Sequence, residues 1–404
     1  MGRGFRIGRI VGIDLRVDPS WLIIFMLLIW SLSSTFAAWH PEWTGWTSLV
    51  VAVLASVLFF GSVLFHELAH SLVARGYGLP VRDITLFMFG GVSNIEREPP
   101  TPRAELAIAI VGPLASFGLG IMAILLVGLS VAWNGAITSA DDAAAAVTHL
   151  GPLVTLLLWL GPVNIAVGLF NLIPGFPLDG GRVLRAAIWK VTGDPTRATR
   201  IAGGVGQVVG VAFIAAGVLM ALGVHIPLLG TGLVSGLWLA LIGMFLRGAA
   251  VQSQLGAVLR EALGGLRVGD LMRSQYLWVD GRLPLRTLVE GWFLRREERA
   301  FPVFDDERFV GLVCLDDVRR IDAASWDERH VVDVMTPAAR LVTAEPEEAL
   351  IDAMGKLASG NVGQLPVVRD GKLLGVLVER DVARWLELES TTRHTPQRPR
   401  ESHA

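Results

Sequence analysis

His66-Glu67-Leu68-Ala69-His70 places two imidazoles and a carboxylate at the end of an apolar run, 48–65 (SLVVAVLASVLFFGSVLF), that contains no charge. Spaced i and i+4, the two histidines lie on one face of a helix, which is the disposition a tetrahedral zinc ion asks of two nitrogen ligands. Glu67 stands between them, free for acid-base work. The chemistry of such an H-E-x-x-H set is metal-assisted hydrolysis, with two ligands and a general base. The alternative is a pair of core histidines satisfied by their neighbours, with Glu67 as a structural partner. Ionisable groups within apolar spans generally mark functional sites, which weighs against that alternative.

The elements that must position these residues are membrane helices. The chain has 404 residues, and its 52% hydrophobic and 18% charged content averages two unlike parts. Residues 1–250 are dominated by long apolar stretches, and the remainder reads as an ordinary charged globular sequence. Six segments near 20–38, 47–74, 105–133, 151–173, 203–223 and 228–247 are long enough to span a lipid bilayer, which takes about 20 residues each. Arg3, Arg6, Arg9 and Arg16 precede the first, and Arg75, Arg82, Arg97 and Arg103 follow the second. The fourth is followed by Arg182, Arg185, Lys190, Arg197 and Arg200, whereas the intervening loops, 134–149 included, carry no Lys or Arg. By the positive-inside rule both termini face the cytoplasm, together with the end of the second span that bears His70. The first run has a second reading as a secretory signal ending near Ala37-Ala38, against which stand its long leader and the acidic Asp14 and Asp18. Between spans two and three, 77–95 is too short and too mixed to cross. Its β-branched and aromatic residues around Gly90-Gly91 predict a membrane-associated hairpin, a backbone tolerated at that depth only against protein or a wet cavity. Its edge would suit strand addition by an extended peptide, or the hairpin is an interfacial loop without a substrate role.

A formal net charge of −2 with scattered basic residues predicts no nucleic-acid partner. The single cysteine, Cys314, excludes an internal disulfide framework and a cysteine-built zinc site, which leaves histidines and carboxylates as ligands. A catalytic zinc site typically uses three protein ligands, so one is missing from the helical pair. Asp179, in the stretch 171–182 (NLIPGFPLDGGR), follows the fourth span on the side where His70 ends the second, and is the best candidate. His149 and His225 fall on the opposite face. Asp179 is equally suited to cap a helix starting near Gly180, since capping and ligation can use different oxygens. In the fifth span, Gly203, Gly204, Gly206 and Gly210 allow close helix contact or a hinge for substrate admission.

The globular part repeats itself. Val268-Gly269-Asp270-Leu271-Met272 matches Val331-Val332-Asp333-Val334-Met335, and Phe301-Pro302-Val303 with Gly311 and Asp317 matches Leu365-Pro366-Val367 with Gly375 and Asp381. One α/β unit of about 60 residues therefore occurs twice, over 266–322 and 329–388, with 389–404 a polar, disordered tail.

Taken as a pair, HELAH at the end of one span and NLIPGFPLDGG at the end of a later one resemble the site-2 protease family of intramembrane zinc metalloproteases, peptidase M50-like. The tandem repeat resembles a pair of CBS domains, which accompany one prokaryotic branch of that family. The resemblance implies a polytopic α-helical membrane protein of about six spans followed by an α/β CBS pair. It further implies one Zn2+ held by His66, His70 and Asp179, Glu67 as the base, and Asn171 positioning the substrate or meeting the oxyanion. The implied activity is cleavage of a membrane-protein substrate in or near its transmembrane segment, with the CBS pair as a regulatory or dimerisation module. In CBS pairs an adenine nucleotide binds through aspartates here matched by Asp317 and Asp381. The family places Ser or Thr three residues earlier, whereas this chain has Cys314 and Val378, which puts nucleotide binding in doubt. Two rival readings are a CBS-regulated transporter or channel, and a metal-binding membrane scaffold without proteolysis. The first leaves HELAH and Asp179 on one face unexplained.

Overall fold

Six helices among the described residues are long and apolar enough to cross a membrane. In a computed structural model describing residues 4–134, 150–227, 229–360 and 363–394, these are α1 (Ser20–Trp39), α2 (Gly45–Gly76), α3 (Pro102–Asn134), α4 (Pro152–Asn171), α6 (Pro195–Ala221) and α7 (Leu233–Leu263). A shorter amphipathic helix, α5 (Asp179–Thr192), separates α4 from α6. The chain divides into two units, 1–257 and 258–404.

All six predicted spans are present, with boundaries set by local chemistry. Thr44 caps α2 by accepting from the Thr47 amide at 3.1 Å. Sequence reasoning started the fifth span near 203, but α6 begins at Pro195, because Asp194 Oδ1 accepts from the Thr196 and Arg197 amides at 2.9 Å each. Phe36 and Leu32 of α1 are buried with Val51, Ala52 and Ala55 of α2 and Leu156 of α4, so the first span is an integral part of the bundle. Ile23 and Trp30 of α1 and Leu125 and Leu129 of α3 are exposed, as apolar side chains facing lipid should be. The fifth-span glycines serve contact: a Cβ on Gly206 would meet Phe176 O at 2.1 Å, and one on Gly210 would meet the Arg247 amide of α7 at 2.8 Å. His149 lies outside the described residues, and His225 is an exposed residue beyond the far end of α6.

The hairpin predicted within 77–95 is β3 (Val81–Phe87) and β4 (Gly90–Ile95), joined across Met88-Phe89. It is half of a larger sheet. The arginine-bearing leader, not predicted as strand, forms β1 (Phe5–Ile10) and β2 (Ile13–Val17) around a turn at Val11 and Gly12, where φ is 49° and 78°. The sheet order is β1-β2-β3-β4, with β2 and β3 parallel and the outer pairs antiparallel. Every residue of β1 is exposed, so no buried alternating face advertised the strand. Ile13, Leu15, Ile84 and Leu86 pack on Val63, Leu64 and Leu68, which lays the sheet against the stretch of α2 that carries His66.

In the second unit the repeats interlock. β5 (Val279–Asp280), β6 (Ala300–Asp305), β7 (Arg308–Cys314) and β8 (Thr336–Pro337) form one sheet, while β9 (Gln364–Arg369) and β10 (Lys372–Val378) form a hairpin flanked by α8 (Leu350–Gly360) and α9 (Glu379–His394). Val268, at the start of the first repeat, is buried in the core of the second with Leu350, Leu365, Val367 and Leu377. Val331, its counterpart, is buried in the first core with Val279, Phe301 and Val313. The glycines make this exchange feasible: a Cβ on Gly311 would lie 2.5 Å from Thr336 O, and one on Gly375 would lie 2.6 Å from Arg273 O. The repeat boundaries drawn in sequence thus cut across the packing, since each leading turn belongs to its partner's core. α9 runs to His394, so the chain is helical beyond 388, where the sequence reading began a disordered tail; 395–404 lie outside the described residues.

A cleft of about 820 Å³ opens within this unit, lined by Arg273, Tyr276, Cys314, Asp317, Thr336 and Val378 among others. Asp317 accepts from the Cys314 amide at 3.0 Å as a helix cap. Asp381 is gripped by the Arg273 guanidinium through bonds of 2.5 and 2.6 Å. Burial, together with Asp317 and Asp316, pushes the Cys314 thiol up to about 12, which leaves it unreactive near neutral pH. The Arg273 guanidinium holds the Asp381 carboxyl below the usual carboxylate range. A depressed pKa contributes stability above the unfolded value of about 3.9 and loses it as pH falls through the folded value. Arg273→Ala is therefore expected to move acid unfolding of this unit to higher pH, read by tryptophan fluorescence against pH; an unchanged midpoint would deny the pair any stabilising role.

Candidate metal centre

The helical spacing of α2 brings the His66 and His70 Nε2 atoms to 3.1 Å from each other. Asp179, the first residue of α5, points its carboxylate between them, with Oδ2 at 3.0 Å from His66 Nε2 and 3.2 Å from His70 Nε2. An ion bonded tetrahedrally at ~2.0–2.1 Å holds its ligand atoms about 3.3–3.4 Å apart, so the three atoms stand close to the spacing that zinc requires. Both histidines are buried, at 4% and 3% exposure, and the Asp179 side chain is 12% exposed. The Asp179 carboxylate makes no cap bond; the residue before the helix is Leu178, so the carboxylate is committed to the cluster. Its position at the positive end of a helix favours the anion. Burial opposes its ionisation, but the two imidazoles facing it outweigh burial and hold it well below the usual carboxylate range. Among the described residues this is the one group of histidines and carboxylates close enough to hold a metal ion.

Both imidazoles are bonded from behind by α3. His70 Nδ1 lies 2.6 Å from the Ile108 carbonyl, an acceptor only, so Nδ1 carries the proton and Nε2 presents a lone pair. His66 Nδ1 lies 2.9 Å from Ser116 Oγ. Between these two anchors on α3 sits Gly112, where a Cβ would come within 2.2 Å of His70 Nε2 and 2.6 Å of His66 Nε2. Ile108, Gly112 and Ser116 recur every four residues and so form one stripe of α3 against the imidazoles.

The comparisons with known proteins agree with this geometry. A family model described as Peptidase family M50 matches residues 54–217, and the CBS domain model matches 268–324 and 331–388. The putative zinc metalloprotease Rip3 of Mycobacterium tuberculosis is 32% identical over 395 residues, covering 95% of this chain and 92% of the relative. The chain belongs to peptidase family M50. The putative zinc metalloprotease sll0528 of Synechocystis is 30% identical, covering 96% of each chain. Among solved structures, the site-2 protease from Methanocaldococcus jannaschii is 29% identical with a TM-score of 0.41, covering 62% of this chain and 95% of that one. This M50 chain is thus a multi-pass membrane zinc metalloprotease with a CBS pair, and the histidine-aspartate cluster fits its zinc.

The M50 match runs from α2 into α6 and so includes His66, Glu67, His70, Asn171 and Asp179; β1, β2 and α1 precede it. Glu67 lies beside the cluster, and Ser93 Oγ of β4 donates to its Oε2 at 2.7 Å. Asn171 closes α4, and its Nδ2 donates to the Val167 carbonyl of its own helix at 3.0 Å. Sequence reasoning missed the supports. Glu105, 1% exposed at the first turn of α3, accepts from Arg182 Nε at 3.1 Å and Arg185 Nη1 at 3.2 Å. Arg185 also donates to Glu98 at 2.7 Å, so α5 is fastened to α3 and its N-terminal carboxylate is aimed at α2. The arginines were visible only as loop charge, and nothing in the run around Ser116 marked that hydroxyl as an orienter. Ser116→Ala is expected to weaken zinc binding roughly 10- to 100-fold, as loss of an outer-shell partner typically does. Competition with a chromogenic chelator measures it, and an affinity equal to wild type would remove Ser116 from the site.

Proposed function

We propose that this M50 metalloprotease hydrolyses a peptide bond in or near a transmembrane segment of another membrane protein. His66, His70 and Asp179 are the ligands, Glu67 is the acid-base residue and Asn171 an oxyanion or substrate contact. The observation that carries this reading is the convergence of three ligand atoms, 3.0–3.2 Å apart, on an apolar helix of 32 residues, with Glu67 beside them. A conduction path alone does not explain HELAH together with Asp179 on one face.

Zinc, when bound, acidifies a water towards a pKa of about 7 and polarises the scissile carbonyl. Glu67 accepts the proton released on attack and returns it to the leaving amine. Asn171 spends one amide hydrogen on Val167 O and keeps a second for the substrate. An amide donor at a developing oxyanion is worth roughly 100-fold or more in rate. A helical substrate shields its carbonyls in its own hydrogen bonds, so it must be presented in extended form. β4 is the edge strand next to Glu67, and an extended segment pairing there keeps its backbone satisfied at membrane depth. The loop charges support a cytoplasmic placement of the termini and the cluster. The CBS pair acts as a regulatory or dimerisation module, with its cleft as the place for an adenine nucleotide.

The test is zinc analysis and cleavage of a panel of single-span fusion proteins by detergent-purified enzyme. Glu67→Gln is expected to keep one zinc per chain and lose about 10²- to 10⁴-fold in rate, the usual contribution of a general base. Wild-type rates in the mutant, or a panel left intact by the wild type, would sink the reading.

A further inference from the structure

β4 touches Glu67 at two places on the same face. A Cβ on Gly91 would lie 2.5 Å from Glu67 Cγ, so the strand passes over the stem of that side chain at a distance only glycine permits. Two residues on, and therefore on the same side of the pleat, Ser93 reaches the carboxylate. Gly91, Ser93 and Ile95 are half-buried, while Val92 and Asn94 between them are exposed.

The serine proton has a defined destination. Ser93 Oγ lies 2.7 Å from Glu67 Oε2 and 3.1 Å from the Glu67 carbonyl oxygen, but it has one hydrogen to give. The shorter, charge-assisted bond to the carboxylate takes it. Ser71, one turn beyond Glu67 on α2, donates its own hydroxyl to Ser93 Oγ at 3.2 Å, which occupies one acceptor site of Ser93 and leaves its proton for Glu67. Two hydroxyls in series thus hold one carboxylate oxygen.

We propose that Ser93 is the positioning residue of Glu67: its hydroxyl fixes the carboxylate beside His66, His70 and Asp179. The strand that flanks the base therefore also sets its direction. This rests on Glu67 being the base, and it predicts a dependence on a hydroxyl at 93 that strand packing alone does not create. The consequence for the reaction is that a peptide seated on β4 meets a base whose orientation that same strand has set.

Steady-state cleavage of one single-span fusion protein that the wild type cuts, in detergent, with zinc content measured alongside, tests the proposal. Ser93→Ala is expected to lower kcat roughly 10- to 100-fold, the scale of a catalytic group misplaced by about 1 Å, with KM and zinc unchanged. Ser93→Thr keeps the hydroxyl in a residue that suits a strand and is expected to restore most of kcat; Ser71→Ala, which removes only the outer hydroxyl, is expected to give a smaller loss. An unchanged kcat in Ser93→Ala, a loss appearing in KM alone, or a threonine variant no better than alanine overturns the positioning role. Glu67→Gln, run in parallel, separates the two ideas. Full activity there removes the base itself, whereas an inactive Glu67→Gln beside a fully active Ser93→Ala removes only the role of Ser93.

Discussion

Asp179→Ala is expected to leave the chain folded but without zinc at micromolar metal, and with no measurable proteolysis. The carboxylate is the one ligand not supplied by α2, and without it two imidazoles 3.1 Å apart remain. Losing an outer-shell partner typically costs 10- to 100-fold in affinity, so loss of a direct ligand should exceed that. The rate should fall further than for Glu67→Gln, because water activation and carbonyl polarisation go together with the ion. α5 stays in place, since Arg182 and Arg185 still pair with Glu105. Metal analysis, cleavage and circular dichroism on one preparation check all three statements. One zinc per chain in the variant would take Asp179 out of the ligand set.

Gly112→Ala should be nearly as damaging, although the added methyl carries no chemistry. Its Cβ would stand 2.2 Å from His70 Nε2, 2.5 Å from His70 Cε1 and 2.6 Å from His66 Nε2, all well inside van der Waals contact. Neither ring can turn away cheaply, because each is tied by Nδ1 to the same helix, His70 to Ile108 O and His66 to Ser116 Oγ. Overpacking of this kind typically destabilises by about 1–3 kcal/mol, and relief comes from rotating the imidazoles off the metal position or pushing α3 away. Zinc content should drop below half and cleavage by more than 100-fold, the larger part from misplaced ligands. Full zinc loading with an unchanged melting temperature would mean that α3 stands farther from the imidazoles than these distances say.

The His66, His70 and Asp179 cluster was legible because short rules carry it. Two histidines at i and i+4 share a helix face wherever the helix sits, and the loop charges predict Asp179 on the same side. The repeat was legible as plain self-similarity. The exchange of leading turns between the repeats was not, because Val268 and Val331 read alike whichever core they fill. Strand β1, exposed along its whole length, offered no periodic burial to read.

By itself, then, the sequence determined the membrane spans, the metal-binding residue types and the doubled C-terminal unit, since composition and short spacings carry them. The tertiary structure decided what surrounds those residues. Ile108 selects the His70 nitrogen, Ser116 bonds His66 from behind, Gly112 lets α3 come close, Glu105 aims α5, and Ser93 meets Glu67. Each of these contacts joins elements distant in the chain, and such pairings have no period or motif; they exist only once α2, α3, α5 and β4 have packed.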